Sequence, residues 1–246
     1  MYNLLISLGI AVAVFAVASL VVGSAVAGFV PALIALIAAY FLLARRTGRQ
    51  LEEVMKVAMK EFEANRVDAG RRILEAALPL GKWQFLVEAQ IHAQLGSLDY
   101  MQRHYKEARA HLNKAWSRHW MAQAMLACLD FREKQYEAAL ARMEKTTGPG
   151  EKEAVFWGLY AHMALEKGDR ELALKALARG LEKNPGSEAL SSMADAVRNK
   201  KKIKYKPFAP GWYQFFPEHM SRAEMMELAQ QRGPRPGQYR PPMPRR

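Results

Sequence analysis

Histidines, cysteines and clustered carboxylates are the side chains from which reactive or metal-holding sites are built, and in this 246-residue chain they are dispersed. His104 and His111 stand seven residues apart, two turns of a helix, so their imidazoles would share a face. A zinc site needs at least one further ligand, and none follows at a matching spacing. Cys128 is the single cysteine, which excludes an intrachain disulfide and a cysteine-based cluster; inside a helix it reads as small core filler. There is no glycine-rich phosphate loop and no nucleophile motif. These residues point away from an enzyme, a metal or a cofactor, and toward a protein that binds.

Charge is the chemistry that remains, and it is unevenly placed. The formal net charge is +12, yet residues 1–44 carry no charged side chain. From Arg198 onward twelve basic residues face three carboxylates, Glu218, Glu224 and Glu227, so the middle is close to neutral. The chain is therefore not a uniformly basic domain but one with a basic tail. In that tail Lys200, Lys201, Lys202, Lys204 and Lys206 precede five aromatics, Phe208, Trp212, Tyr213, Phe215 and Phe216. Beside an anionic leaflet each lysine would contribute up to about 1 kcal/mol. The aromatics would either seat at the membrane interface or pack back on the rest of the chain. Packing back is the better account, because so many aromatics rarely stay in water. Basic and aromatic residues together also suit single-stranded nucleic acid, but no nucleic-acid motif accompanies them.

The other concentrated charge, Arg45, Arg46 and Arg49, ends the apolar stretch. A helix needs about 20 apolar residues to cross the hydrocarbon, and residues 3–44 offer room for two. "GSAVAG" (23–28) and Pro31 mark the break, since glycine permits a tight turn and proline fits a first helical turn. The expectation is a hairpin of spans near 4–22 and 27–44, with Gly9, Ala13 and Ala16 in the first and Ala32, Ala35 and Ala39 in the second allowing close approach. A cleaved signal peptide fits less well, for "MYNLL" has no positive charge and the apolar region is too long. Arg45, Arg46 and Arg49 are the only positive flank, so they mark the cytoplasmic side. Both termini and everything after residue 46 are then cytoplasmic, with only "TGRQ" (47–50) as linker.

Beyond residue 50 apolar residues recur at three and four, the period of helices. The segments "HYKEARAHLNKAW", "QYEAALARMEKT" and "DRELALKALARGLEKNP" align on Ala108, Ala139 and Ala173, each followed four residues later by Leu112, Met143 or Leu177. A fainter copy puts Gly70 and Leu74 at the same two positions. Spacings between the small residues are 38, 31 and 34. The pattern resembles the tetratricopeptide repeat, a 34-residue helix–turn–helix, and residues 154–187 fit it best through Trp157, Ala161, Gly168, Ala173, Leu177, Gly180 and Pro185. The layout as a whole resembles bacterial hairpin-plus-repeat proteins such as the HemY group, and that resemblance implies a bacterial inner membrane.

That resemblance implies an all-α fold: a membrane hairpin (1–46), about four helix pairs with residues 187–199 as a capping helix (51–200), and an irregular basic, proline-rich tail (201–246) with a short helix near 221–231. It also implies a concave groove lined by the first helix of each pair. Carried over by position, the groove residues are Met55, Met59, Phe62, Gln90, Ser97, Tyr100, Met101, Met121, Cys128, Phe131, Arg132, His162 and Glu166. Such a groove, rich in methionine and aromatics, suits an apolar or helical ligand. It lacks the Lys/Asn/Arg set with which chaperone-binding relatives grip a C-terminal carboxylate. The expected function is a membrane-anchored adaptor that binds other proteins in this groove. The alternative is a subunit or assembly factor of a membrane complex whose hairpin makes the main contacts.

Overall fold

A segment that is apolar at every position satisfies its backbone in lipid or in a core only by closing its own hydrogen bonds. In a computed structural model, which describes residues 1–220, it forms two helices, α1 (Tyr2–Val22) and α2 (Ala25–Glu63), each long and apolar enough to cross a membrane. The helix expected near 221–231 and the proline-rich end lie outside the described residues. Gly23, at φ 69°, ends α1 in the left-handed region, and its amide donates to the Ser19 carbonyl. The two helices then run back along one another. At the closest point, Gly28, an added Cβ would lie 2.9 Å from the Phe15 carbonyl oxygen, so only glycine fits.

The face that α1 turns to α2 is Asn3, Ser7 and Ala11, all buried. The Asn3 side-chain amide donates to the Thr47 hydroxyl at 2.9 Å, and the Ser7 hydroxyl donates to the Asn3 carbonyl. Gly9, Ala13 and Ala16, expected at the contact, face outward instead. In an all-round apolar helix these buried hydrogen bonds, with Ala11 and Gly28 at the close approach, mark the face. On α2 the expected Ala32, Ala35 and Ala39 are half-buried. α2 does not stop at the arginines: residues 47–50, read from sequence as a linker, are helical. Thr47 and Leu51 are buried, so α2 is held in place through the stretch that would otherwise have been a joint.

After α2 come α3 (Val67–Ala76), α4 (Val87–Met101), α5 (Tyr105–Leu112), α6 (Trp120–Arg132), α7 (Tyr136–Gly150), α8 (Ala154–Glu166), α9 (Arg170–Lys183), α10 (Glu188–Arg198) and the short α11 (Gly211–Phe215). No strand occurs among the described residues. The chain divides into two compact units, Met1–Gln94 and Leu95 onward. The first holds the hairpin and, as α2 packs on α3, the first helix pair. In the second, α6 packs on α7, α7 on α8, α8 on α9 and α9 on α10.

The aligned small residues sit where helices cross. Ala108, Ala139 and Ala173 are fully buried, as are Leu112, Met143 and Leu177. A Cβ added at Gly96 would meet Leu112 at 2.7 Å, and one at Gly180 would meet Trp157 at 2.7 Å. The turns inside the pairs repeat as well. Asn65, Arg103, Lys134 and Gly168 all have positive φ, between 59° and 92°. Each is followed by an amide that closes back on the helix: Arg66 on Glu61, His104 on Asp99, Gln135 on Asp130 and Asp169 on Ala164. These are Schellman closures. Asp169 and Ser187 then cap the helices they precede by accepting from the Leu172 and Leu190 amides.

Candidate functional site

In the second unit, residues on the first helices of successive pairs converge on one strip: Tyr100 on α4, Phe131 and Arg132 on α6, His162 on α8. The strip is filled by the chain's own residues 205–219. Tyr205 stacks on Trp212 with ring centroids 4.2 Å apart, and its hydroxyl shares a hydrogen bond with His162 Nδ1 at 2.9 Å. Trp212 is fully buried, and its indole N–H donates to His219 Nδ1 at 3.0 Å. Phe208 lies against Gly158, where a Cβ would come within 2.9 Å of the ring. Phe216 packs edge-on to Phe131 and His162, with centroids at 5.9 and 5.1 Å. Phe215 is buried and meets Trp120 at 6.3 Å.

Polar anchors fix this segment. The Phe215 carbonyl accepts from the Tyr100 hydroxyl at 2.7 Å and from Arg132 Nη2 at 3.1 Å. Arg132 also pairs with Glu218 at 2.7 Å and lies over the Tyr105 and Phe216 rings, 5.1 and 5.4 Å from their centroids. Burial works against the Arg132 charge, but hydrogen bonds to Glu218 and Tyr100 hold its pKa above the usual arginine value. Burial would raise the Glu218 carboxyl, yet the hydrogen bond and charge of Arg132 bring it below the usual range. Burial, helped by the neighbouring His219, lowers His162 to about 4, against the weaker pull of Glu218. The imidazole is therefore neutral at physiological pH and can serve as a hydrogen-bond partner and an aromatic surface. Burial pushes the Tyr205 phenol up to about 12.

Of the expected groove residues, Tyr100, Phe131, Arg132 and His162 hold residues 205–219, while Cys128 is fully buried behind them. Met121 and Ser97 are half-buried, and Met101 and Glu166 remain exposed, Met101 at 60%. Met59, Phe62 and Gln90 belong to the first unit: Met59 and Gln90 are exposed, and Phe62 is half-buried beside Gly70. Arg45, Arg46 and Arg49 are exposed. So are Lys200, Lys201, Lys202, Lys204 and Lys206. His104 is exposed, whereas His111 Nε2 lies 3.9 Å from the buried Asp99. Among the described residues no three His, Cys, Asp or Glu side chains gather as metal ligands.

One polar centre had no motif to announce it. Asp130 is 2% exposed and receives Arg109 at 2.6 Å and Arg142 at 3.0 Å, the latter also reaching Gln123. It joins α5, α6 and α7. The signal in sequence is a carboxylate at the end of the mostly apolar run "MAQAMLACL", with Gln123 inside it.

In sequence, no protein-family model and no curated protein matches this chain. In structure it is similar to PilF of Pseudomonas aeruginosa, with a TM-score of 0.53 and 15% identity over 72% of this chain and 79% of that one. MamA of Desulfovibrio magneticus RS-1 is similar more distantly, with a TM-score of 0.48 and 14% identity over 75% of this chain and 97% of that one. At such identity the likeness to PilF is one of fold, a tetratricopeptide-like helical repeat.

Proposed function

We propose that this chain is a membrane-anchored adaptor, which holds another protein at the cytoplasmic face of a bacterial inner membrane through its helical repeats. The supporting observation is that α2 passes without a break from the apolar hairpin into the first repeat pair. An anchor and a repeat sharing one helix are built to carry the first repeat pair at the membrane surface. Arg45, Arg46 and Arg49, exposed where the apolar residues end, suit the cytoplasmic side.

The partner surface is what residues 205–219 leave open, with Met101 as its most exposed apolar member in the second unit. Met101→Glu in the full-length chain, followed by crosslinking in intact cells and mass spectrometry, tests this. The expected result is loss of a crosslinked partner with membrane insertion unchanged; unchanged partner recovery overturns the groove as the binding surface. A reporter fused after residue 246 should be active only if that end is cytoplasmic.

The occupied strip also favours a second reading, in which the hairpin contacts other membrane helices and the repeats buttress a complex. Exchanging the two spans for an unrelated hairpin separates the readings. An adaptor keeps its partner, and a complex subunit loses it.

A further inference from the structure

The spacing from Gly70 to Ala108 is four residues longer than 34, and within it the loop between α3 and α4 exposes apolar side chains. Leu78–Lys82 forms a 3-10 turn, after which Trp83 is 43% and Phe85 60% exposed. The loop is tied to the start of α1. The Asn3 amide donates to the Trp83 carbonyl at 3.1 Å, the Met1 amino group to the Lys82 carbonyl, and the Trp83 ring meets Tyr2 edge-on at 5.4 Å. Trp83, Gln84 and Phe85 share with Met1, Leu4 and Tyr40 the walls of a hollow of about 250 Å³.

We infer that the 78–85 loop is a third membrane contact, seating Trp83 and Phe85 in the interfacial region of the same leaflet that Arg45, Arg46 and Arg49 face. This rests on the reading of α1 and α2 as spans. Tyr40 precedes Arg45 and Arg49 by five and nine residues, so it lies about 8 and 13 Å nearer the bilayer centre along α2 at 1.5 Å per residue. Trp83 is tied to Asn3, which pairs with Thr47 between Arg46 and Arg49, so the side chains that wall a hollow with Tyr40 and Leu4 lie between the depth of Tyr40 and that of the arginines. That is the depth at which tryptophan and tyrosine collect. The hollow's other walls, Leu4 and Tyr40, are themselves 52% and 37% exposed span residues. Whatever covers the loop must cover the span ends too, which a phospholipid bilayer does and a soluble protein does not. Arg45, Arg46 and Arg49, grouped with Leu42, Gln50 and Glu53 around a second hollow, supply positive charge for lipid phosphates.

The test uses the full chain in vesicles of phosphatidylethanolamine and phosphatidylglycerol. Phe85→Cys and, separately, Ile37→Cys carry an environment-sensitive fluorophore. Cys128 stays unlabelled, because it is fully buried and burial pushes its thiol up to about 12. At Phe85→Cys, a lipid nitroxide near the carbonyls should quench roughly twofold more than one near the chain ends, as an interfacial position requires, and iodide should quench little. At Ile37→Cys, 61% exposed in the middle of the second span, the deep nitroxide should dominate. Iodide quenching without lipid quenching at position 85, beside deep quenching at position 37, overturns the inference and leaves the hairpin standing. No lipid quenching at position 37 overturns the spans, and the loop contact with them.

Discussion

Acidification should loosen the second unit, and His162 sets the scale. In the unfolded chain its imidazole titrates near 6.5; buried between Tyr205, Phe216 and His219 it titrates near 4. A base whose pKa is lowered by folding binds its proton more readily when unfolded, so protonation favours unfolding. The stabilisation is complete above pH 6.5, declines as pH falls, and is gone once pH passes below 4. At 1.36 kcal/mol per unit, these values correspond to a loss of about 2 kcal/mol by pH 5 and about 3 kcal/mol by pH 4. Protonation of Glu218, which frees Arg132, adds in the same direction. The assay is urea unfolding of detergent-solubilised full-length protein across pH 7 to 4, followed by circular dichroism and tryptophan fluorescence. His162→Phe removes the titration while keeping an aromatic ring. It shifts stability at every pH through the lost Tyr205 hydrogen bond, but its pH profile should be flatter than wild type by about 2 kcal/mol between pH 7 and 5. Parallel profiles would refute the argument, whatever their offset.

Four further outcomes are expected. Trp212→Ala empties the centre of the aromatic strip and should cost about 3–5 kcal/mol in the same unfolding assay. Replacing Arg109 and Arg142 together strands the Asp130 carboxylate in the interior at about 3–5 kcal/mol. Asp130→Asn should cost less, because Arg109 keeps Glu133 at 2.9 Å and Arg142 keeps Gln123 at 3.2 Å, and the ranking of the two variants is the measurement. Gly180→Ala drives a methyl into Trp157 and should destabilise by about 1–3 kcal/mol. Gly48→Ala meets nothing within 4 Å and should raise the melting temperature, as alanine is favoured over glycine inside a helix by about 1 kcal/mol.

The repeats were legible because crossing helices demand near-absent side chains at fixed intervals, and Ala108, Ala139 and Ala173 show that interval whatever surrounds them. Their turns were not, since Arg103 and Lys134 take a left-handed conformation more often given to glycine. The contact face of α1 was hidden because a helix almost wholly apolar carries no hydrophobic period; its marks were Asn3, Ser7 and Ser19, and they are polar. The unbroken course of α2 was hidden by Gly48, which reads as a linker residue but stays helical because Asn3 holds Thr47 beside it. Five aromatics between Phe208 and Phe216 announced that the segment must bury itself. What receives it depends on contacts 83 residues apart, Arg132 to Phe215, and 115 apart, Tyr100 to Phe215. No local pattern encodes such a pairing.

The unbroken α2 makes rotation about its axis a designed quantity. It is 39 residues long, about 58 Å at 1.5 Å per residue. With no hinge between the span and the first repeat, the residue count along α2 sets the azimuth at which that repeat meets the bilayer, and the ties of the 78–85 loop to α1 hold it there. One residue inserted between Ala44 and Leu51 would turn the first helix pair by about 100° and lift it by about 1.5 Å. Seven inserted residues would nearly restore the heading while raising it about 10 Å. The length of this stretch thus works as a dial, and a homologue that kept the heading would be expected to change it by whole turns.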